Sequence, residues 1–162
     1  MADLPRSAAR VAAAAGALGL PIEVVEFPDG TRTAEDAARA VGCDVGQIVK
    51  SLVFAAGDEI VLAMVSGSNR LDERKLATAL GVSRSKVRRP DADEVRAASG
   101  YAVGGIPPFG HDTPLRTLVD LDLLRHDVVW AAAGTPHHVF AVAPQALVGA
   151  TGAAPTDLAA AG

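Results

Sequence analysis

Apolar residues recur along this chain in two rhythms, and each predicts a different element. Residues 6–19 are dominated by alanine behind Pro5 and stop at Gly19-Leu20-Pro21, the composition and punctuation of a helix. Ile22 to Phe27 alternates apolar and acidic positions, which predicts a half-exposed strand closed by Pro28-Asp29-Gly30. Thr33 stands three residues before Asp36, a capping-box spacing that starts a helix over 34–41, with Gly42 ending it. Ile48 to Ala56 reads I-V-K-S-L-V-F-A-A, a buried strand interrupted by one lysine. With a Gly57-Asp58 turn and a returning strand from Ile60 to Val65, residues 48–65 predict an antiparallel hairpin.

Helical spacing returns at 72–80, where Leu76 and Leu80 extend a stripe begun by Leu71, and Asp72 and Glu73 occupy the favourable first turn. Val82 to Arg89 reads as a short basic strand or extended arm, and Asp91 with Glu94 caps a helix over 92–98. Tyr101 to Val103 is expected as a strand feeding a glycine loop. Further strands are expected over Leu115–Leu121, Val128–Ala133 and Val139–Val142, with a brief helical turn before His126. A last short helix runs from Pro144 through Val148, and the Ala/Gly/Pro tail from Gly149 is expected to fray. Six or seven strands with three or four helices predict a mixed α/β (α+β) domain, one largely antiparallel sheet flanked by helices. Residues 1–150 form that single domain, and 151–162 are a flexible tail.

Composition adds little beyond excluding classes. One cysteine, Cys43, rules out an internal disulfide framework and a cysteine-based zinc cluster, and fits a cytoplasmic setting. No stretch approaches a membrane span. The net charge is −4, yet residues 70–89 carry Arg70, Arg74, Lys75, Arg84, Lys86, Arg88 and Arg89 against only Asp72 and Glu73. Such a basic segment on an acidic body either steers one polyanion or is plain solvated surface.

Candidate chemistry gathers at two places. Residues 100–110, G-Y-A-V-G-G-I-P-P-F-G, place Gly104 and Gly105 before two prolines. Glycines admit close backbone approach or positive φ, and the prolines stiffen the residues beyond them, so this is either a tight connection or an anion-binding concavity of amides. Lys50 is the second place. Lysine is almost never fully buried alone, so an inward Lys50 would present its ammonium to a polarised oxygen, while an outward one would simply reach solvent. His137 and His138 are neighbours, which on a strand face opposite ways, and His111 and His126 have no metal-site spacing. No metal or other cofactor is expected, and one of the pair can rim a pocket. Ser66, Ser68 and Asn69 read as loop formers that can also touch a ligand.

Taken together, Lys-Ser-Leu-Val at 50–53, Leu-Asp-Glu-Arg-Lys-Leu-Ala at 71–77, the 100–110 loop and the apolar strand ending at Gly134 resemble the YbaK/EbsC family. Its members are free-standing aminoacyl-tRNA deacylases related to the editing domain of bacterial prolyl-tRNA synthetase. The resemblance spans about residues 5–150. It implies a strongly curved mixed sheet flanked by helices. It also implies trans-editing, the hydrolysis of the ester of mischarged aminoacyl-tRNA, often tRNA(Pro) carrying a small noncognate amino acid. Lys50, Gly104 and Gly105 would be catalytic, the glycine amides taking the oxyanion without a protein nucleophile or metal. Phe27, Ser66, Ile106, Pro107, Gly110, Gly134, Thr135, His137 and His138 would contact the substrate. Arg70, Arg74, Arg84, Lys86, Arg88 and Arg89 would hold the tRNA, with transient contact to prolyl-tRNA synthetase.

Two departures bear on specificity. Phe27 stands where cysteinyl-specific members carry tyrosine, and the 134–140 turn has Pro136, His137, His138 and Val139 in place of an aspartate. A nonenzymatic tRNA- or synthetase-binding protein and a small-molecule ester hydrolase of the same fold are the alternatives.

Overall fold

The computed structural model describes residues 4–27 and 33–161, so the expected Pro28-Asp29-Gly30 turn lies outside the described residues. Helix α1 spans Arg6–Ala17, followed by strand β1 at Val24–Glu26 and helix α2 at Ala34–Val41. The hairpin is β2 (Val49–Ala56) and β3 (Glu59–Ser66), then come α3 (Glu73–Leu80), β4 (Val87–Arg88) and α4 (Ala92–Ser99). After a long loop come β5 (Arg116–Asp120), β6 (Val129–Ala132), β7 (His138–Val142), α5 (Pro144–Thr151) and β8 (Ala154–Thr156).

The strands form a five-stranded sheet in the order β4-β2-β3-β5-β8 and a three-stranded one in the order β1-β7-β6. An isolated parallel bridge between Ile48 and Trp130 joins the two, so the whole is one strongly curved, largely antiparallel surface. The parallel pairs are β3–β5 and β5–β8. The period of two explains why β2 and β3 read as nearly continuous apolar runs. Val53, Leu62 and Met64 enter a core shared with Val11 of α1, Val95 of α4 and Leu147 of α5. The alternate residues Phe54, Val61, Ala63 and Val65 pack on Leu76 and Leu80 of α3. Both faces are covered, and α2 closes a third cluster around Phe27, Ile48 and Val139.

Several expectations change. Tyr101–Val103 is not a strand: Ser99 Oγ accepts from Tyr101 N at 3.1 Å, and Gly105 N donates to Ala102 O at 3.1 Å, closing a turn with Gly104 at φ +97°. The 82–89 arm resolves into a single 3-10 turn and the two-residue β4 on the sheet edge. The tail does not fray. Helix α5 runs on to Thr151, β8 pairs with β5, and Leu158 is fully buried. Truncating a buried leucine to alanine costs about 2–5 kcal/mol, so Leu158 adds substantially to the strand pairing that holds the segment.

The loop after α4 is braced rather than free. Arg10 lies over the Tyr101 ring at 4.7 Å, pairs with Asp112 and donates to Gly110 O, which also accepts from Tyr101 Oη. His111 Nε2 donates to Pro107 O at 2.7 Å, and burial, its largest influence, depresses the His111 pKa. A depressed histidine leaves the folded state neutral where the unfolded chain is already protonated. Its stabilising contribution is therefore complete above about pH 6.5 and is lost as pH falls through the folded value. The melting temperature is expected to drop on going below pH 6.5, and the drop should shrink in His111→Gln.

A candidate active site between the two sheets

Residues far apart in the chain converge on one hollow of about 200 Å³ where the two sheets meet. Val49 and Lys50 at the start of β2 supply one wall, and Trp130 and Ala132 of β6 the next. His138 and Val139 of β7 adjoin them, with Thr135 and Pro136 from the preceding turn. Phe27 and the first turn of α2, Thr33, Ala34 and Ala37, close the far side, and Gly104 lies on the rim.

Each wall has a local cause. Thr33 caps α2, its hydroxyl accepting from Asp36 N at 3.0 Å while Thr33 N donates back to Asp36 at 3.3 Å. Gly134 adopts φ +93°, and a Cβ there would lie 2.6 Å from Ser7 O, so only glycine fits between this turn and α1. The turn then presents Thr135. Its hydroxyl accepts from His137 N at 3.1 Å and shares a hydrogen bond of 2.6 Å with His138 Nδ1. The other ring nitrogen, Nε2, lies 4.0 Å from Glu26 Oε2. His138 is 6 % exposed and lines the hollow, whereas His137 is exposed and does not.

Lys50 is half-buried, on the β2 face shared with Leu52 and Phe54, and its Nζ donates to the backbone carbonyl of Asn69 at 2.9 Å. It stands between this hollow and a groove of about 330 Å³ bordered by Asn69, Arg70, Glu73 and Arg89. The glycine loop contributes less than expected. The Gly105 amide is consumed by Ala102 O, and Gly105 is buried against the backbone of Thr135. Gly104 alone of residues 104–110 lines the hollow, and its amide donates to no acceptor among the described residues.

Ile106, Pro107, Gly110 and Ser66, also expected at the substrate, do not line this hollow. Ile106 belongs to the main core, Pro107 is buried and its carbonyl serves His111, and Gly110 serves Arg10 and Tyr101. Ser66 is 1 % exposed, its hydroxyl donating to Gly46 O at 2.7 Å and bonded to Ser68, so it fastens a loop. Trp130, Thr33, Ala34 and Ala37 line the hollow although no motif marks them for it. A lone tryptophan in an apolar strand and a capping box directly after a strand are the only signals that could have pointed to them.

The basic segment divides in two. Arg84 pairs with Glu73 at 3.1 Å, and Arg88 grips Glu94 with both terminal nitrogens at 3.1 and 2.8 Å, holding that carboxyl below its usual range. Arg70, Arg74, Lys86 and Arg89 are exposed and enter no ion pair among the described residues, Arg89 lying over the Phe54 ring at 5.0 Å. Among the described residues, no three His, Cys, Asp or Glu side chains are grouped to hold a metal ion. Burial, with Asp44 adding to it, pushes the Cys43 thiol up and keeps it protonated.

Comparison with known proteins agrees with this geometry. Residues 28–150 match the family model of the aminoacyl-tRNA editing domain. The chain is 30 % identical over 126 residues to the uncharacterised protein YwhH of Bacillus subtilis, covering 77 % of this chain and 78 % of that one. It is 32 % identical over 122 residues to a proline–tRNA ligase of Thermoanaerobacter, covering 74 % of this chain but 21 % of the ligase. A crystal structure of a candidate trans-editing enzyme for prolyl-tRNA synthetase superimposes with a TM-score of 0.93 at 46 % identity, covering 98 % of this chain and all of that one. The chain therefore belongs to the aminoacyl-tRNA editing domain family, with the fold of its YbaK/EbsC-like members and of the editing domain of prolyl-tRNA synthetase.

Proposed function

We propose that this protein hydrolyses the ester joining a wrongly attached small amino acid to the terminal ribose of a tRNA, with tRNA(Pro) the preferred carrier. The observation that carries the reading is the meeting of Lys50, Gly104, whose amide donates to no acceptor among the described residues, and the Thr135–His138 pair around one small hollow. The similarity to proline–tRNA ligases and to the candidate trans-editing enzyme supports the class of substrate.

An aminoacyl ester needs positioning and a place for developing negative charge more than it needs a protein nucleophile. Water adds to the carbonyl carbon, and the electron pair moves onto the carbonyl oxygen, where the Gly104 amide and Lys50 donate. These donors are set before the charge appears, so they need not reorganise as it forms. Collapse breaks the bond to the ribose oxygen, which takes a proton and leaves as the free tRNA hydroxyl, releasing the amino acid. His138, held by Thr135, hydrogen-bonds a ribose hydroxyl or the amino acid. Ala34, Ala37 and Val139 give the hollow an apolar end suited to a short uncharged side chain.

The test is a panel of tRNAs charged with alanine, serine, cysteine or proline. Release of a small noncognate residue from tRNA(Pro), with Pro-tRNA(Pro) spared, is expected; no ester cleavage on any member would remove the reading. The same assay sorts the arginines. Arg70→Ala and Arg89→Ala should raise KM for charged tRNA and flatten its salt dependence, since each removes a phosphate contact. Arg84→Ala and Arg88→Ala should lower the melting temperature with less effect on KM, because those side chains are already paired.

A further inference from the structure

The loop that receives Lys50 is held far more firmly than a connection between β3 and α3 requires. Lys50 Nζ donates to the backbone carbonyl of Asn69. The Asn69 side chain in turn donates to Asp122 Oδ2 at 2.7 Å and reaches Asp120 Oδ2 at 3.4 Å, which uses both protons of the amide. The C-terminal segment holds the same loop from its other side. Ala160 N donates to Arg70 O at 2.7 Å, and Asp72 N donates to Leu158 O at 2.8 Å. Asp120, 1 % exposed, links the two holds, because its Oδ1 accepts from Leu158 N at 2.8 Å. The residues matched by the family model stop at 150, so the C-terminal part of this clamp lies outside that stretch.

We propose that Asn69 is a positioning residue: gripped by Asp120 and Asp122 and backed by the C-terminal segment, it fixes the carbonyl that holds the Lys50 ammonium at the border between the hollow and the neighbouring groove. A lysine stem is flexible, and an ammonium bonded to a wandering carbonyl would wander with it. Two protons of the ammonium remain for substrate once the third is given to Asn69. The inference rests on the reading of Lys50 as the donor to the reacting ester.

Asn69→Ala keeps the carbonyl and removes only the grip on it. Deacylation of mischarged tRNA is expected to fall about tenfold in kcat, with KM and melting temperature little changed, since small misplacements of a reacting group are costly. Asp122→Ala should reproduce the loss, and Asp122→Asn, whose side-chain oxygen still accepts, should restore the rate. In a Lys50→Ala background, Asn69→Ala should cost nothing further, the mark of two residues acting as one unit. A readout independent of activity is acetylation of Lys50 by acetic anhydride, followed by peptide mass spectrometry. Freed from its fixed acceptor, Lys50 should react several-fold faster in Asn69→Ala than in the unaltered protein. Multiplying losses in the double variant, or unchanged acetylation of Lys50, would overturn the proposal. Should the unaltered protein cleave no mischarged tRNA, the proposed function fails, and the acetylation rates still decide the clamp.

Discussion

Lys50→Ala is expected to lower single-turnover deacylation of a mischarged tRNA by about a hundredfold or more, the usual cost of removing one preorganised donor to a developing oxyanion. The melting temperature should barely move. Lys50 makes one hydrogen bond, to Asn69 O, and no ion pair among the described residues, so its loss strands no buried charge. The variant should retain affinity for uncharged tRNA if Arg70 and Arg89 carry the phosphate contacts. Unchanged turnover would take Lys50 out of the chemistry altogether.

Gly105→Ala is expected to damage both stability and activity, through packing rather than through a lost amide. A Cβ at Gly105 would stand 2.6 Å from Thr135 Cα and 2.7 Å from its N and C, all backbone atoms that cannot step aside singly. Overpacking of this kind costs about 1–3 kcal/mol, and a chain of this size loses about 2–4 °C of melting temperature per kcal/mol. Whatever relief occurs must push the 104–106 loop and the 134–136 turn apart. That displaces Gly104 from the rim and Thr135 from His138, so the deacylation rate should fall at least about tenfold, as misplacement costs. Gly149→Ala is the control. No atom lies within 4 Å of a Cβ there, the residue sits inside α5, and the change should stabilise by about 0.5–1 kcal/mol. Equal melting temperatures for Gly105→Ala and the unaltered protein would show that the two loops yield freely.

The elements that the sequence made legible are those whose signal is local. The β2–β3 hairpin announced itself by two apolar runs around Gly57-Asp58, and α2 and α4 by Thr33 with Asp36 and Asp91 with Glu94. What stayed hidden depends on contacts across the chain. The parallel pairing of β5 with β3 and β8 leaves no periodic trace, and a single buried Leu158 gives a tail no pattern. Tyr101 has strand propensity, yet the Ser99 hydroxyl and the Gly104 turn outweigh it. In the candidate site Lys50 was conspicuous because a charge in an apolar run has few explanations. Ser66 and Gly110 are ambiguous for a related reason. A polar or flexible residue in a loop reads the same whether it faces a ligand or fastens the loop to its neighbour. Only the three-dimensional partner tells the two apart.

The pairing of β1 with β7 has a consequence for how the molecule is made. Val24 finds its ladder partner in Phe140, and the hollow takes walls from Phe27, from the start of β2 and from Val139. A chain emerging from the ribosome can close the β2–β3 hairpin early, but the three-stranded sheet must wait until β7 has been synthesised. Pairings this distant in sequence form slowly, because the entropy of closing the long loop is met before the contacts reward it. Until that closure the apolar faces of β1 and β6 have no cover, so the nascent chain lacks the hollow and is at its most vulnerable to proteolysis and to association with other unfinished chains.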